Sequence, residues 1–567
     1  MKFFKNNFCL ILILLAAAVL RFWQLGSIPP SPDWDEAALG YNAYSILVTG
    51  RDEYGTKFPL VLRSFDDYKP PLYAYLAIPS IALFGLNTWS VRLPSAVAGV
   101  LAVVGTYFLV MELFQVQKGA IRQLADKAQS SKEAIHHSSF IIHHSNSIAL
   151  VSAMLLALSP WHLQFSRIAF EANIGLTLNI WAIAFFFFGL KKKGAMIASA
   201  SCFALGLYAY HSERIFLPLI VCLLAYLYRR ELLAAKKKVL ISSIVGIIIA
   251  VPLIPVFFNQ TTLMRFRGTS SLADQTGLLA RSVAKLAEDQ KNHNPLGIIF
   301  DNRRIVWAKT ILDGYLSHYS LRWLFLTGDN DRHHAPGMGL LYLWELPFLL
   351  YGIYQFAKTG NRAAYLIFGW FLIAPIAASP TSETPHAIRS IVFLPTFQIF
   401  TAYGIVSVCQ LIHVSKFTKR LYLIMFGIYA IFIVFNFVQY LDLYFVQMNR
   451  EFSRCWQYGY QEAVAYTQLN RARYKKIVVS TKLEQPHMFF LYFLKYDPVK
   501  YLAEGGTASG GFAENRNRFD IYEFRPIAWN QEIHDFSTLY IGTPREVPPT
   551  LKLINYLDGS PAISLGE

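Results

Sequence analysis

Leu93–Phe114 reads LPSAVAGVLAVVGTYFLVMELF. This is a predominantly apolar run long enough to cross a bilayer, which takes about 20 helical residues. Lys118, Arg122 and Lys127 follow it, the kind of basic flank that accumulates on the cytoplasmic side of a membrane. Blocks of the same kind recur along the chain. A soluble protein carries about a quarter charged residues; here 16% of 567 residues are charged, 54% are hydrophobic, and the mean hydropathy is +0.34. The expected class is a polytopic membrane protein, mainly α.

The formal net charge is +16. It sits mainly in short clusters between apolar blocks, as membrane topology requires, so no nucleic-acid partner is expected. Cys9, Cys202, Cys222 and Cys409 lie within apolar segments and only Cys455 lies outside them. That pattern gives neither a disulfide framework nor metal-type spacing. Met1–Leu20 has a basic start and an apolar run but no small-residue cleavage site, and Arg21-Phe22-Trp23 follows as an interfacial anchor. It reads as the first membrane helix, with the N-terminus cytoplasmic.

If every basic cluster is cytoplasmic, each adjacent pair must be joined by an even number of crossings. Two apolar stretches lie between Leu25 and Lys118, Leu72–Leu86 and Leu93–Phe114. Only one of them can span. Leu72–Leu86 is short, contains Pro79 and carries Gly85 near its end, so it is assigned to the outer interface. Further spans are expected near 148–160, 174–190, 194–210, 215–228, 239–257, 338–356, 363–379, 390–412 and 421–440, making about 11 transmembrane helices. The domains are then a membrane core over 1–440 and an extracytoplasmic α/β domain over 441–567. The core contains a cytoplasmic insertion at 115–147 and a long outer loop at 258–337. In the last domain, Lys475–Thr481, Arg518–Arg525 and Ser537–Thr543 alternate like strands, while Gln461–Ala472 and Pro486–Leu494 are helix-like. The insertion holds His136, His137, His143 and His144 without Cys or acidic companions, so it is read as a polar insertion and not a metal site.

The polar residues concentrate at helix ends that parity puts on one face. Asp33-Trp34-Asp35-Glu36 directly follows the first helix. A carboxylate there can serve as general base toward an acceptor hydroxyl, while Asp33 suits a helix N-cap. Tyr68-Lys69-Pro70-Pro71 opens the interfacial helix. A lysine near a helix N-terminus is like-charged with the dipole unless an anion is shared, and a phosphate would satisfy both. Arg167 and Glu171 are four apart and would pair on a helix. Further knots are Tyr208–Arg214, Asp329–His334 and Pro385–Arg389. Arg and Lys suit a phosphate leaving group. The Asp/His cluster at 329–334 is an alternative seat for a divalent ion. No cofactor is certain, and a divalent metal ion is compatible with the sequence but not required by it.

The acidic pair after the first helix, the Lys-Pro-Pro at the next helix start, and Val91-Arg92-Leu93-Pro94-Ser95 opening the following span resemble the GT-C superfamily. Within it they are most similar to the branch of protein O-mannosyltransferases and the lipid A aminoarabinose transferase. The resemblance covers roughly residues 8–440 and is most specific in the first hundred. It implies a GT-C fold with outer-face juxtamembrane helices, a multi-pass inner-membrane location and a polyprenyl-phosphate sugar donor. The acceptor would be a protein, lipid or glycan, and configuration at the sugar would invert. It further implies a catalytic set of Asp35, Glu36 and Glu171, with Asp35 as base. Donor phosphate contacts would come from Lys69, from Arg332 or His333, and from His386 or Arg389, with no assigned metal ligand; Arg214, in the knot at Tyr208–Arg214, is a candidate for the same phosphate on its charge. Arg92 would tie its helix to neighbours. The rival class is a transporter or flippase of lipid-linked sugars, which would show internal repeats and charged or broken helices at the midplane; no repeat is visible.

Overall fold

The computed structural model describes residues 2–567 except 66, 126–131, 193, 258–269, 272–274, 415–418 and 509–516. The chain is mainly helical with a C-terminal sheet domain. It forms two compact units: one comprises Met1–Leu14, Leu101–His162 and Gly175–Asn436, the other Leu15–Val100, Leu163–Ile174 and Phe437–Glu567.

Each expected span contains a helix among the described residues, though those near 194–210, 338–356 and 363–379 are helical only in part. Among the described residues, five helical segments are long and apolar enough to cross a membrane: Thr88–Gln115, Ala172–Lys191, Lys236–Val256, Ile391–Leu411 and Gly427–Glu451. His144–Leu158 and Pro160–Ser166 form a sixth candidate, bent by 59°. The bend falls where Pro160 withdraws a backbone donor. Shorter apolar helices cover Asn7–Phe22, Leu72–Phe84, Ala195–Gly206 and Arg362–Ile373. The expected polar insertion at 115–147 is largely helical, because Thr88–Ala125 and Lys132–Leu158 extend into it from both sides. The side chains of His136, His137 and His143 lie outside the described residues.

In the first unit, the helices Glu345–Ala357 and Thr396–Val414 pack with backbones in near contact. A Cβ on Gly352 would overlap the Phe400 carbonyl, and one on Gly404 would overlap that of Phe348. Such small-residue contacts are how helices associate where lipid removes the hydrophobic drive. The stretch expected as one long outer loop, 258–337, is not a plain loop. It contains the helices Gln275–Lys291, Pro295–Phe300 and Arg303–Ser317 and a π-helical turn at Trp323–Thr327. The charged residues of Gln275–Lys291 and Arg303–Ser317, and the shortness of the other two, hid them from a search for apolar blocks. Asn294 and Asn302 cap the second and third of these helices.

The second unit is built around the helix Trp34–Thr49. Asp33 caps it: the Asp33 carboxylate accepts from the Glu36 N–H at 2.8 Å, and Glu36 accepts from the Asp33 N–H at 3.3 Å. This reciprocal pair is a capping box. Gly50, at φ 71°, ends the helix in the left-handed conformation that glycine tolerates best. A short hairpin follows, β1 (Leu62–Ser64) and β2 (Asp67–Lys69), and then the helix Leu72–Phe84.

The C-terminal part holds a six-stranded mixed sheet. Its strands are β3 (Lys476–Val479), β4 (Arg518–Phe519), β5 (Tyr522–Phe524), β6 (Thr538–Gly542), β7 (Lys552–Asn555) and β8 (Pro561–Gly566), in the order β4-β5-β3-β6-β8-β7. Central β3 runs parallel to β5 and β6 and is buried from Ile477 to Val479; the strand expected over Lys475–Thr481 is present, but buried continuously as a parallel strand and not alternating. The helices Tyr460–Leu469 and Pro486–Leu494 lie where the sequence suggests; the hairpin partners β7 and β8 were not foreseen.

The sequence boundary near 440 does not isolate this part, which shares one compact unit with residues 15–100. The reason is packing. The helix Pro486–Leu494 lies on the helix Trp34–Thr49, and Gly40 makes room for it, since a Cβ there would stand 2.8 Å from the Tyr492 ring. Glu53, fully buried, links the two stretches again: it accepts from Asn42 Nδ2 at 2.9 Å and from the Thr507 hydroxyl at 2.6 Å. Burial, only partly offset by these two donors, pushes the Glu53 carboxyl up to about 7 from 4.5. The folded state therefore holds this proton over a range in which the unfolded chain has lost it. Stability from Glu53 is full below the unfolded value and falls as pH rises from 4.5 toward 7. Purified wild type is expected to lose melting temperature relative to Glu53→Gln between about pH 5 and about pH 8; parallel pH profiles from tryptophan-fluorescence melts would contradict this.

Candidate active site

Asp35 and Glu36 are sequence neighbours in the first turn of one helix, so their side chains diverge by about 100° around its axis. Glu36 turns inward. Its carboxylate meets Arg92 bidentately, Nε to Oε1 and Nη2 to Oε2, both at 2.8 Å, with both side chains fully buried. It also accepts from the Ala169 N–H at 2.7 Å. The remaining Arg92 donors go to the carbonyls of Leu25 (3.1 Å), Pro29 (2.8 Å) and Ser31 (2.8 Å). With these lone pairs engaged inside the fold, Glu36 has a bracing geometry and not that of a base open to an acceptor.

Asp35 faces the other way. Its side chain is 30% exposed and forms an ion pair with Lys69, whose own side chain is only 5% exposed. Lys69 is held rigidly, as the last residue of β2, with Pro70 and Pro71 behind it and the helix Leu72–Phe84 beyond. Burial by itself would lower the Lys69 pKa; the carboxylates of Asp35, Glu171 and Asp67 outweigh it and hold the ammonium above its ordinary value. The site is thus a permanent cation among three acids, with one carboxylate partly open to solvent.

Glu171 joins this site through its charge on Lys69. The helical pairing of Arg167 with Glu171 does not apply, because the helix Pro160–Ser166 stops before them. Arg167 donates instead to the carbonyls of Leu20 (2.6 Å), Arg21 (3.1 Å) and Ile28 (3.1 Å), and its guanidinium lies over the rings of Tyr444 and Phe445.

The remaining candidates belong to the other unit. Arg214 stands in the first turn of the helix Glu213–Leu227. Beside it Glu213 is fully buried and accepts twice from Asn179 Nδ2, at 2.9 and 2.8 Å. Arg332 lies in a turn whose backbone is held by Asn330. His333 and His386 come together around Asp329: His333 Nδ1 is 2.9 Å from Asp329 Oδ2, His386 Nδ1 is 4.0 Å from it, and the two rings are 4.9 Å apart. Arg389 donates to Thr381 and Ser382 at 2.8 and 2.7 Å. Burial would raise the Asp329 pKa, but the neighbouring His333, the Ala387 N–H and His386 bring it down to about 2. Burial, followed by the charges of His333 and Arg389, pushes His386 well below its usual range. Asp329 was visible in the sequence only as one member of a polar knot; its contact with 385–389 is a tertiary fact.

The sequence profile of the dolichyl-phosphate-mannose-protein mannosyltransferase family matches residues 68–125, a stretch that includes Lys69 and Arg92. No curated protein matches the sequence significantly. Among solved structures, ArnT from Cupriavidus metallidurans bound to undecaprenyl phosphate is similar with a TM-score of 0.52 at 11% identity, over 99% of this chain and 98% of that one. The apo form of ArnT from the same organism gives 0.49 at 12% identity over the same shares. The archaeal oligosaccharyltransferase AglB from Archaeoglobus fulgidus, in complex with an inhibitory peptide and a dolichol-phosphate, gives 0.48 at 11% identity, over 95% of this chain and 70% of that one. The first of these likenesses concerns the fold.

Removing either half of the buried Arg92–Glu36 pair strands the other charge. Arg92→Ala and Glu36→Ala are each expected to cost about 3–5 kcal/mol, read as a drop in melting temperature larger than that of Asp35→Asn, whose carboxylate is partly exposed and whose partner Lys69 keeps the charges of Glu171 and Asp67.

Proposed function

We propose that this chain, which has the GT-C membrane fold, is a glycosyltransferase taking its sugar from a polyprenyl-phosphate carrier at the outer membrane face. The observation that carries this reading is the Asp35–Lys69 pair: a partly exposed carboxylate in the first turn of the helix Trp34–Thr49 and a buried ammonium at the end of β2. The match of residues 68–125 to a family of lipid-phosphate-dependent mannosyltransferases adds support, as does the fold-level likeness to a protein bound to undecaprenyl phosphate.

The chemistry follows from the two charges. The donor phosphate draws the Lys69 ammonium toward itself and frees a lone pair of Asp35. Asp35 takes the proton from the acceptor hydroxyl as that oxygen attacks the anomeric carbon. The bond from that carbon to the phosphate oxygen breaks on the opposite side, and polyprenyl phosphate leaves as an anion matched by Lys69. One displacement inverts the configuration. Glu171 adds negative potential that keeps Lys69 charged, and Glu36 holds Asp35 in place through Arg92. In this reading the acceptor is a protein, lipid or glycan.

The test is sugar transfer or release from defined polyprenyl-phosphate sugars by purified protein in nanodiscs. Asp35→Asn is expected to lose about 10²–10⁴-fold in turnover while still binding donor. Lys69→Ala removes a charge-assisted contact of about 1.5–3 kcal/mol and should weaken donor use by roughly 10–100-fold. Equal turnover in wild type and Asp35→Asn would remove Asp35 from the reaction and make transport of the lipid-linked sugar the next assay. Sidedness has its own check. Single cysteines at Ser130 and Lys500 should label from opposite faces of sealed vesicles, and labelling from one side overturns the assigned topology.

A further inference from the structure

Asp329, His333 and His386 each present a ligand-type atom, and these atoms lie within 4.8 Å of one another. The three residues come from two separate segments, the turns at 328–334 and at 385–389. One bond already joins the segments, from the Ala387 N–H to Asp329 Oδ2 at 2.8 Å. The cluster is nonetheless incomplete as a hydrogen-bonded structure. Asp329 Oδ1 and His386 Nδ1 are both buried, and neither has a hydrogen-bond partner among the described residues. Each buried polar atom left in that state costs about 1–3 kcal/mol, and two of them in one cluster whose ligand-type atoms lie within 4.8 Å call for a shared occupant.

We propose that Asp329, His333 and His386 form a binding site for a divalent transition-metal ion of the Zn2+ class. The donor set supports that class. Two imidazole nitrogens with one carboxylate oxygen suit Zn2+ and its first-row neighbours, whereas Mg2+ and Ca2+ favour all-oxygen shells. The geometry is close to what is needed. A tetrahedral ion with ligands at about 2.0–2.1 Å holds their atoms about 3.3 Å apart, so side-chain rotations of an ångström or so close the present cluster. An ion there satisfies Asp329 Oδ1 and His386 Nδ1 together.

Three protein ligands leave a fourth position open. Asp329 and His386 also line a cavity of about 510 Å³, together with Arg322, Asn330 and Glu383. The fourth ligand is then water or an anionic oxygen entering from that cavity. The ion also pins the 385–389 turn to the segment at 328–334, so binding should be visible as stability.

The test uses the full-length protein in detergent, stripped with a chelator and then titrated with ZnCl2 and, separately, CoCl2. One Zn2+ per chain, a rise in melting temperature on adding Zn2+, and Co2+ ligand-field absorption typical of a four- or five-coordinate N/O site are expected. Asp329→Asn and His386→Ala should each lower Zn2+ affinity by more than the ~10–100-fold that follows loss of a ligand's hydrogen-bond partner, while the exposed His293→Ala leaves it unchanged. Zn2+ binding equal in wild type and both ligand variants would overturn the site, as would Co2+ on wild type giving only the spectrum of the hydrated ion. The wild-type Co2+ spectrum decides the matter even where a ligand variant does not fold. None of these readouts depends on glycosyl transfer, so the inference stands or falls apart from the proposed activity.

Discussion

The buried ion pair between Arg92 and Glu36 is the constraint from which the rest of this site follows. A guanidinium has five N–H donors and no way to shed its charge. Here all five are placed: two on Glu36 and the others on the carbonyls of Leu25, Pro29 and Ser31. Glu36 in turn holds the Ala169 N–H. One side chain thereby joins the segment after the first helix, the head of the next long helix and the turn that carries Glu171. Because Glu36 must face this brace, helix geometry leaves its neighbour Asp35 facing the open side, next to Lys69.

Three buried arginines in the same unit, Arg21, Arg92 and Arg167, explain why the C-terminal stretch cannot be an appendage. The flat cationic faces of Arg92 and Arg167 are covered by aromatic rings from beyond residue 437. Arg167 lies 5.5 Å from the Tyr444 ring centre and 4.9 Å from that of Phe445, and Arg92 lies 6.0 Å from that of Trp456. A cation shielded from water by a π face keeps part of the stabilisation that hydration would have provided. The rings belong to the same structural layer as the arginines they cover, whatever their distance along the chain.

Much of the fold could be read from the chain because its determinants are local. Apolar blocks announce helices, Asp33 announces an N-cap, and Lys475–Thr481 announces a strand. The helices between Gln275 and Ser317 escaped because their sequences mix charge with apolar residues. In the site, Lys69 could be singled out because a lysine at a proline-led helix start is electrostatically odd. The division of labour between Asp35 and Glu36 could not, since adjacent acids look alike until Arg92, 56 positions after Glu36, selects one of them. The meeting of Asp329 with His386 was hidden in the same way, because contact between distant turns leaves no periodic trace.

The helix pair that meets at Gly352 and Gly404 bears on how such a chain can diverge. Where a Cβ would overlap a facing carbonyl oxygen, no larger side chain fits without pushing the two backbones apart. Most other positions on the helix Thr396–Val414 are buried against side chains, which can be exchanged for one another more easily than a backbone can move. A relative that keeps the packing must therefore keep these two positions small while almost everything around them drifts. At an identity of 11%, steric punctuation of this kind offers a surer register for alignment than the apolar letters between.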